Sequence, residues 1–196
     1  MSLQYENRRG QIYHLQMGKT PTGKPKYYMG LKITGTPLDV VPEGHEIYES
    51  PQHGQVFVRK IKPSAITPFE REQAADLIRR SSGLEHVIVD VEENSLVVWT
   101  PSMDVSGADD IIRKLAGDRA SAMAGVFRQA ILKRSTYTKM LRFTLINPDR
   151  RLFTAERWCF RGSIDDWIFI GGLAPLADHI EKCAKGLGSE DFFELM

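Results

Sequence analysis

The chain has 196 residues, 42% of them hydrophobic and 26% charged, with a formal net charge of +1. That balance suits one globular domain or two small ones and points away from a disordered, collagen-like or membrane-spanning chain. Two cysteines, no N-terminal apolar stretch and no apolar run longer than Trp167-Ile168-Phe169-Ile170 predict a cytoplasmic protein without disulfides, and no membrane partner.

In chain order, residues 11–17 alternate, 18–24 form a turn-rich loop with Pro21 and Gly23, and 25–31 return, which predicts a β-hairpin. Residues 45–49 and 55–61 flank a Pro51/Gly54 turn and predict a second hairpin. Thr67-Pro68-Phe69-Glu70 is a capping box with proline at the first helical position, and Gly83 suits a left-handed stop, so 68–81 reads as helix. A third hairpin spans 86–91 and 96–100, its unbroken apolar runs predicting burial on both faces. Ser106 and Asp109 open a helix through Leu115, and 119–133, rich in small residues, predicts another. Residues 140–146, 151–160 and 166–170 read as a β-meander, followed by an amphipathic helix over 175–187 and a short turn over 190–195. The fold class is therefore α+β: antiparallel β-hairpins and a C-terminal β-meander with three to four packed helices. A change of character at Lys62-Pro63 divides a β-rich, mildly basic region, 1–62, from an α+β region, 63–196. The first carries nine Lys/Arg against five Asp/Glu, +4, and the remainder sums to −3.

Catalytic signatures are missing. No two of the five histidines stand at i, i+4, and no C-x-x-C occurs, so no metal site is expected. Gly18-Lys19-Thr20 echoes the end of a phosphate loop, but Tyr13 stands where the first glycine belongs and no helix follows. Neither a G-x-S-x-G elbow nor a cofactor fingerprint is present, so no catalytic residue and no cofactor are assigned. Cys183 neighbours Lys182 and Lys185, yet both it and Cys159 read as buried, inert thiols. Acidic clusters at Asp90, Glu92 and Glu93 and at Asp165-Asp166 offer an alternative, a metal-dependent hydrolase or nuclease. Both lie at predicted turns, where carboxylates commonly serve solvation and turn formation.

The N-terminal hairpin carries the strongest binding signal. Arg8, Arg9, Lys19, Lys24 and Lys26 supply phosphate attraction, and Tyr27 and Tyr28 are the stacking candidates for exposed bases. The competing reading is that the tyrosines pack across strands and the lysines blunt an edge. Phe153, Trp158, Phe160, Trp167 and Phe169 are expected to form the core of the meander, and Phe192-Phe193 to dock on their own domain.

Two segments, Pro42-Glu43-Gly44-His45-Glu46-Ile47-Tyr48-Glu49 with Gly54-Gln55-Val56-Phe57-Val58-Arg59, and Leu187-Gly188-Ser189-Glu190-Asp191-Phe192-Phe193-Glu194-Leu195, resemble parts of a family of uncharacterised bacterial proteins. The resemblance covers well under a third of the chain and implies no activity or site residue. The reading is of a non-enzymatic protein that binds a macromolecule, either a protein partner or nucleic acid.

Overall fold

The strands at Gln4–Glu6 (β1), Ile12–Lys19 (β2), Pro25–Gly30 (β3) and Thr36–Pro37 (β4) form one sheet around β2. They belong to a computed structural model that describes residues 2–102, 126, 129–159 and 165–194. β3 runs antiparallel along one edge of β2, from His14↔Gly30 to Lys19↔Pro25. The other edge is shared by β1, opposite Ile12 to His14, and the short β4, opposite Gln16 and Met17. Neither β1 nor β4 is marked by the sequence pattern, because strands of three and two residues show no periodicity. His45–Glu49 (β5) and Val56–Lys60 (β6) make a separate two-stranded ribbon. Contacts divide the chain into two compact units, Met1–Lys62 with Met103–Thr136 and Pro63–Ser102 with Tyr137–Met196.

In the first unit, alternation sends Tyr13 and Leu15 of β2 and Met29 of β3 to one face, where they meet Val56 and, more peripherally, Ile47 and Val58 of the ribbon. The opposite face of β2 presents Gln16, fully buried although polar. Its amide donates to the Lys32 carbonyl at 2.7 Å and accepts from the Thr34 and Gly35 backbone N–H groups at 2.7 and 2.8 Å. The loop between β3 and β4 is thereby strapped to the sheet. A Cβ at Gly30 would lie 2.6 Å from the Gln16 amide nitrogen, which accounts for glycine there.

The second unit begins with the helix Pro68–Ser82 (α1). Its capping box forms as the sequence predicts: Thr67 N–H donates to Glu70 at 2.9 Å and Glu70 N–H to the Thr67 hydroxyl at 3.2 Å, and Gly83 stops the helix at φ 70°. Ile88–Glu92 (β7), Ser95–Pro101 (β8), Tyr137–Asn147 (β9), Leu152–Cys159 (β10) and Asp166–Pro175 (β11) build a five-stranded antiparallel sheet in the order β11-β10-β9-β8-β7. The predicted both-face burial holds for β8, where Leu96 to Thr100 are all buried. Leu176–Cys183 (α2) passes through a 3₁₀ turn, Ala184–Gly186, into a last one at Glu190–Glu194. Residues 126 and 129–134 are helical, while the rest of the helices expected over 106–133 lies outside the described residues.

α1 and α2 cover one face of the sheet with Ala74, Ile78, Ile180 and Cys183 against Leu96, Val98, Phe143 and Phe153. The expected aromatic core of the meander is corrected here, because strand alternation splits it. Phe153 joins the helix-side core, whereas Trp158 and Trp167 meet edge to face, 5.1 Å between ring centroids, with Lys139 3.4 Å above Trp158. Phe169 is 61% exposed, and Phe160 lies outside the described residues. Cys159 and Cys183 are buried free thiols. Burial pushes the Cys183 thiol up and outweighs the opposing charge of Lys182, so the neighbouring lysines do not activate it. Among the described residues, no helix is long and apolar enough to cross a membrane.

Arg151, at φ 49° in the β9–β10 turn, clamps this unit together. Its guanidinium pairs with both Glu70 oxygens and donates to the Ala65 carbonyl at 3.1 and 3.2 Å. Desolvation raises the Glu70 carboxyl, but hydrogen bonds from Arg151 and from the Thr67 amide and hydroxyl outweigh it, holding the pKa below the ordinary glutamate value. A depressed folded-state pKa contributes stability that is fully present above the ordinary glutamate range and is lost as pH falls through the lowered value. Arg151→Met is therefore expected to move the Glu70 titration upward and to shift acid unfolding to higher pH. Carboxyl-carbon NMR titration reads the first, and circular dichroism against pH the second. An unmoved Glu70 titration would remove Arg151 as the cause.

Candidate nucleic-acid interface

The first unit has two polar ends, and they differ in kind. At one, the turn after β1 interlocks with the turn joining β5 and β6. Asn7 donates to the Gly54 carbonyl at 2.6 Å, Tyr5 hydroxyl donates to Glu49 at 3.1 Å, and Arg8 pairs with Glu49 at 3.2 Å. Arg8 also donates to the carbonyls of Ser50, at 2.8 Å, and Pro51. Burial and the Glu49 charge beside it raise the Tyr5 hydroxyl, as expected for a phenol held against a carboxylate. Arg8 and Arg9 both lie along Gly54, whose φ of 68° and crowded surroundings suit glycine. Arg8 is thus engaged within the fold, with three acceptors, the Glu49 carboxylate and the Ser50 and Pro51 carbonyls, around its backbone and guanidinium.

At the other end the two layers part. Strand pairing sets His45 opposite Lys60, and Tyr27 stands edge-on to the His45 ring at 5.2 Å. Together with Lys24, Pro25 and Val58 they line an open cleft of about 400 Å³. Every charged side chain in that lining is cationic, and no carboxylate lines it among the described residues. His45 Nδ1 hydrogen-bonds the Glu43 carbonyl at 2.9 Å, which leaves Nε2 as the ring nitrogen available to a ligand. Glu46, next in the chain, projects from the opposite side of β5, where Arg59 holds it at 2.8 Å.

Of the residues that the sequence marks, Lys24 and Tyr27 meet in this cleft. Lys19 is exposed at the end of β2, opposite Pro25. Lys26 and Tyr28 alternate with Tyr27 and Pro25, so they project from the other face of the sheet. Tyr28 donates to or accepts from the Thr34 hydroxyl at 3.2 Å and lies over Gly18. Arg8 and Arg9 precede β2, whereas Lys24 follows it, and a strand of eight residues at ~3.3 Å each separates the two ends by about 25 Å. His45 and Lys60 are the residues that sequence reasoning missed. Their signal was present in the second hairpin, because a turn centred on Pro51 and Gly54 places residue 45 opposite residue 60.

The carboxylates of the alternative reading are arranged differently. Glu92, at the end of β7, and Glu93, in the β7–β8 turn at φ 56°, are exposed, and Asp90 accepts from the Val91 N–H at 2.9 Å. Asp165, just before β11, and Asp166, its first residue, are exposed, and Asp166 accepts from the Trp167 N–H at 2.7 Å. No group of three or more His, Cys, Asp or Glu placed to hold a metal ion occurs among the described residues. Compared with family models, with curated proteins and with solved structures, the chain matches none, so the cleft is read from its own chemistry alone.

Proposed function

We propose that this protein acts by binding, and that its N-terminal unit holds single-stranded nucleic acid at the Lys24–Tyr27–His45–Lys60 cleft. The observation that carries this reading is the composition of that lining: two lysines and a histidine around a tyrosine ring, with apolar Pro25 and Val58 beneath them. Cationic groups attract phosphate, and an aromatic ring gives an unpaired base a surface on which to stack. A duplex keeps its bases stacked internally and offers no such contact, which favours a single strand. Lys19, exposed near the cleft end of β2, and Lys26 on the other face extend the positive surface along the hairpin. No comparable observation favours hydrolysis by the turn carboxylates.

The test is fluorescence anisotropy of short labelled single and double strands. With three or four lysines neutralising phosphates, affinity for a single strand is expected to fall about 20- to 50-fold between ~50 and ~200 mM salt. Lys24→Glu/Lys60→Glu is expected to weaken binding and flatten that salt dependence, with the duplex bound more weakly throughout. Salt-insensitive binding, or binding unchanged by the double substitution, sinks the proposal. No binding at either salt by the folded protein would pass the reading to a protein partner.

A further inference from the structure

We infer that the cleft is a single-nucleotide site that takes the phosphorylated end of a strand, with the terminal phosphate between Lys24 and Lys60 and the base against Tyr27. This rests on the nucleic-acid reading and narrows it. Three features of the first unit lead there.

Size comes first. A volume of about 400 Å³ falls at the low end of the roughly 300–1,000 Å³ typical of small-ligand pockets. It suits one nucleotide, whereas a site that tracks an internal run of backbone needs an extended groove.

Charge comes second. An internal phosphodiester carries one negative charge, whereas a phosphomonoester carries about −1.5 to −2 near neutral pH and offers three acceptor oxygens. Lys24 and Lys60 reach the cleft from different elements, the β2–β3 loop and the end of β6, so they flank a ligand from two sides. Among the described residues no carboxylate lines the cleft, and that matters here: an acidic neighbour would take up one lysine and repel the second phosphate charge.

Division of the lining comes third. Lys60 and His45 stand opposite each other at the ends of β6 and β5, while Tyr27, Pro25 and Val58 supply the apolar part. A ligand with one strongly anionic end and one flat apolar end matches both halves. His45, its Nδ1 held by the Glu43 carbonyl, has Nε2 left as a further polar contact for the phosphate or sugar.

The experiment uses the full chain and three probes: adenosine 5′-monophosphate, adenosine and inorganic phosphate, each titrated while the Tyr27 and His45 side-chain NMR signals are followed. The monophosphate is expected to bind at least about tenfold more tightly than either fragment, since each fragment loses a charged or stacking contact worth more than ~1.4 kcal/mol. Lys60→Met is expected to weaken the monophosphate and inorganic phosphate alike. Tyr27→Leu is expected to weaken the monophosphate and leave inorganic phosphate unchanged, a split that a merely structural role for Tyr27 would not produce. Lys60 is exposed, so its substitution keeps the test valid if the tyrosine variant misfolds. Equal affinity for monophosphate and adenosine, or shifts confined to residues outside the cleft, overturns the inference.

A paired comparison separates the two levels. Oligonucleotides identical but for a 5′-phosphate or a 5′-hydroxyl, and a second pair differing only at the 3′ end, are measured by anisotropy. Salt-dependent binding that ignores both termini would leave the nucleic-acid reading standing and remove the end-specific site. Binding of the mononucleotide without binding of any strand would leave only a free-nucleotide site and would overturn both the nucleic-acid reading and the strand-end inference.

Discussion

Gln16→Leu is expected to cost the N-terminal unit about 3 kcal/mol, because one side chain satisfies three backbone groups. The Gln16 amide group meets the Lys32 carbonyl and the Thr34 and Gly35 N–H groups at 2.7 to 2.8 Å. A buried group stripped of its partner costs roughly 1–3 kcal/mol, and these three, on exposed Lys32 and Thr34 and half-buried Gly35, sit at the lower end because an opened loop regains water. Leucine is one bond shorter than glutamine and offers neither donor nor acceptor. Hydrogen exchange is the direct measurement: protection at the Thr34 and Gly35 amides should disappear, with thermal unfolding of the unit shifted downward. Gln16→Glu supplies a graded control. Its carboxylate still accepts from both amides but faces the Lys32 carbonyl without a proton, so protection at 34 and 35 should survive while part of the stability is lost. Wild-type exchange in the leucine variant would mean the strap is incidental.

This strap also marks a limit of sequence reading. A glutamine in an alternating strand looks like a solvent-facing residue, Gly30 looks like one more strand residue, and Gly35 looks like an ordinary turn residue. Only the folded chain brings Gly35 so close that an added Cβ would stand 2.6 Å from the Met17 carbonyl and the Tyr28 hydroxyl. Local signals were readable where cause and effect are adjacent in sequence. The Thr67–Glu70 capping box, the Gly83 stop and the three hairpin turns belong to this group, since each depends on residues within one turn of chain. The α+β class followed from the same hairpins.

The cleft was readable only by half. Lys24 and Tyr27 stood out as a basic and aromatic neighbourhood, but their partners come from the ribbon, on a strand pair with its own register. Counting Arg8, Arg9 and Lys24 as one patch treated proximity in composition as proximity in space, which the length of β2 forbids. Counting Tyr27 with Tyr28 made a similar assumption across the two faces of β3. The same alternation divided Phe153 from Trp158 in β10, so a run rich in aromatics served two faces instead of one core.

Phe192→Ala is expected to destabilise the second unit by about 3–5 kcal/mol, the usual cost of truncating a fully buried phenylalanine. Its position near the end of the chain would ordinarily argue for a small effect, since terminal residues fray. The packing argues otherwise. Phe192 joins the helix-side core with Ile180, Cys183 and Leu187, and its backbone passes so near Gly186 that a Cβ there would lie 3.2 Å away. At the start of this last turn the Phe192 N–H reaches the Ser189 carbonyl at 3.4 Å, a long bond. The fully buried ring therefore anchors the turn to the core. All three tryptophans, Trp99, Trp158 and Trp167, belong to this unit, so their fluorescence follows its urea unfolding. The midpoint should fall sharply in Phe192→Ala and much less in Phe193→Ala, whose ring is only partly buried against the same core. Carboxypeptidase should trim the Phe192 variant faster than the Phe193 variant, because removing the anchor frees the turn. Equal midpoints for the two variants would show that the turn rests on the core without contributing to it.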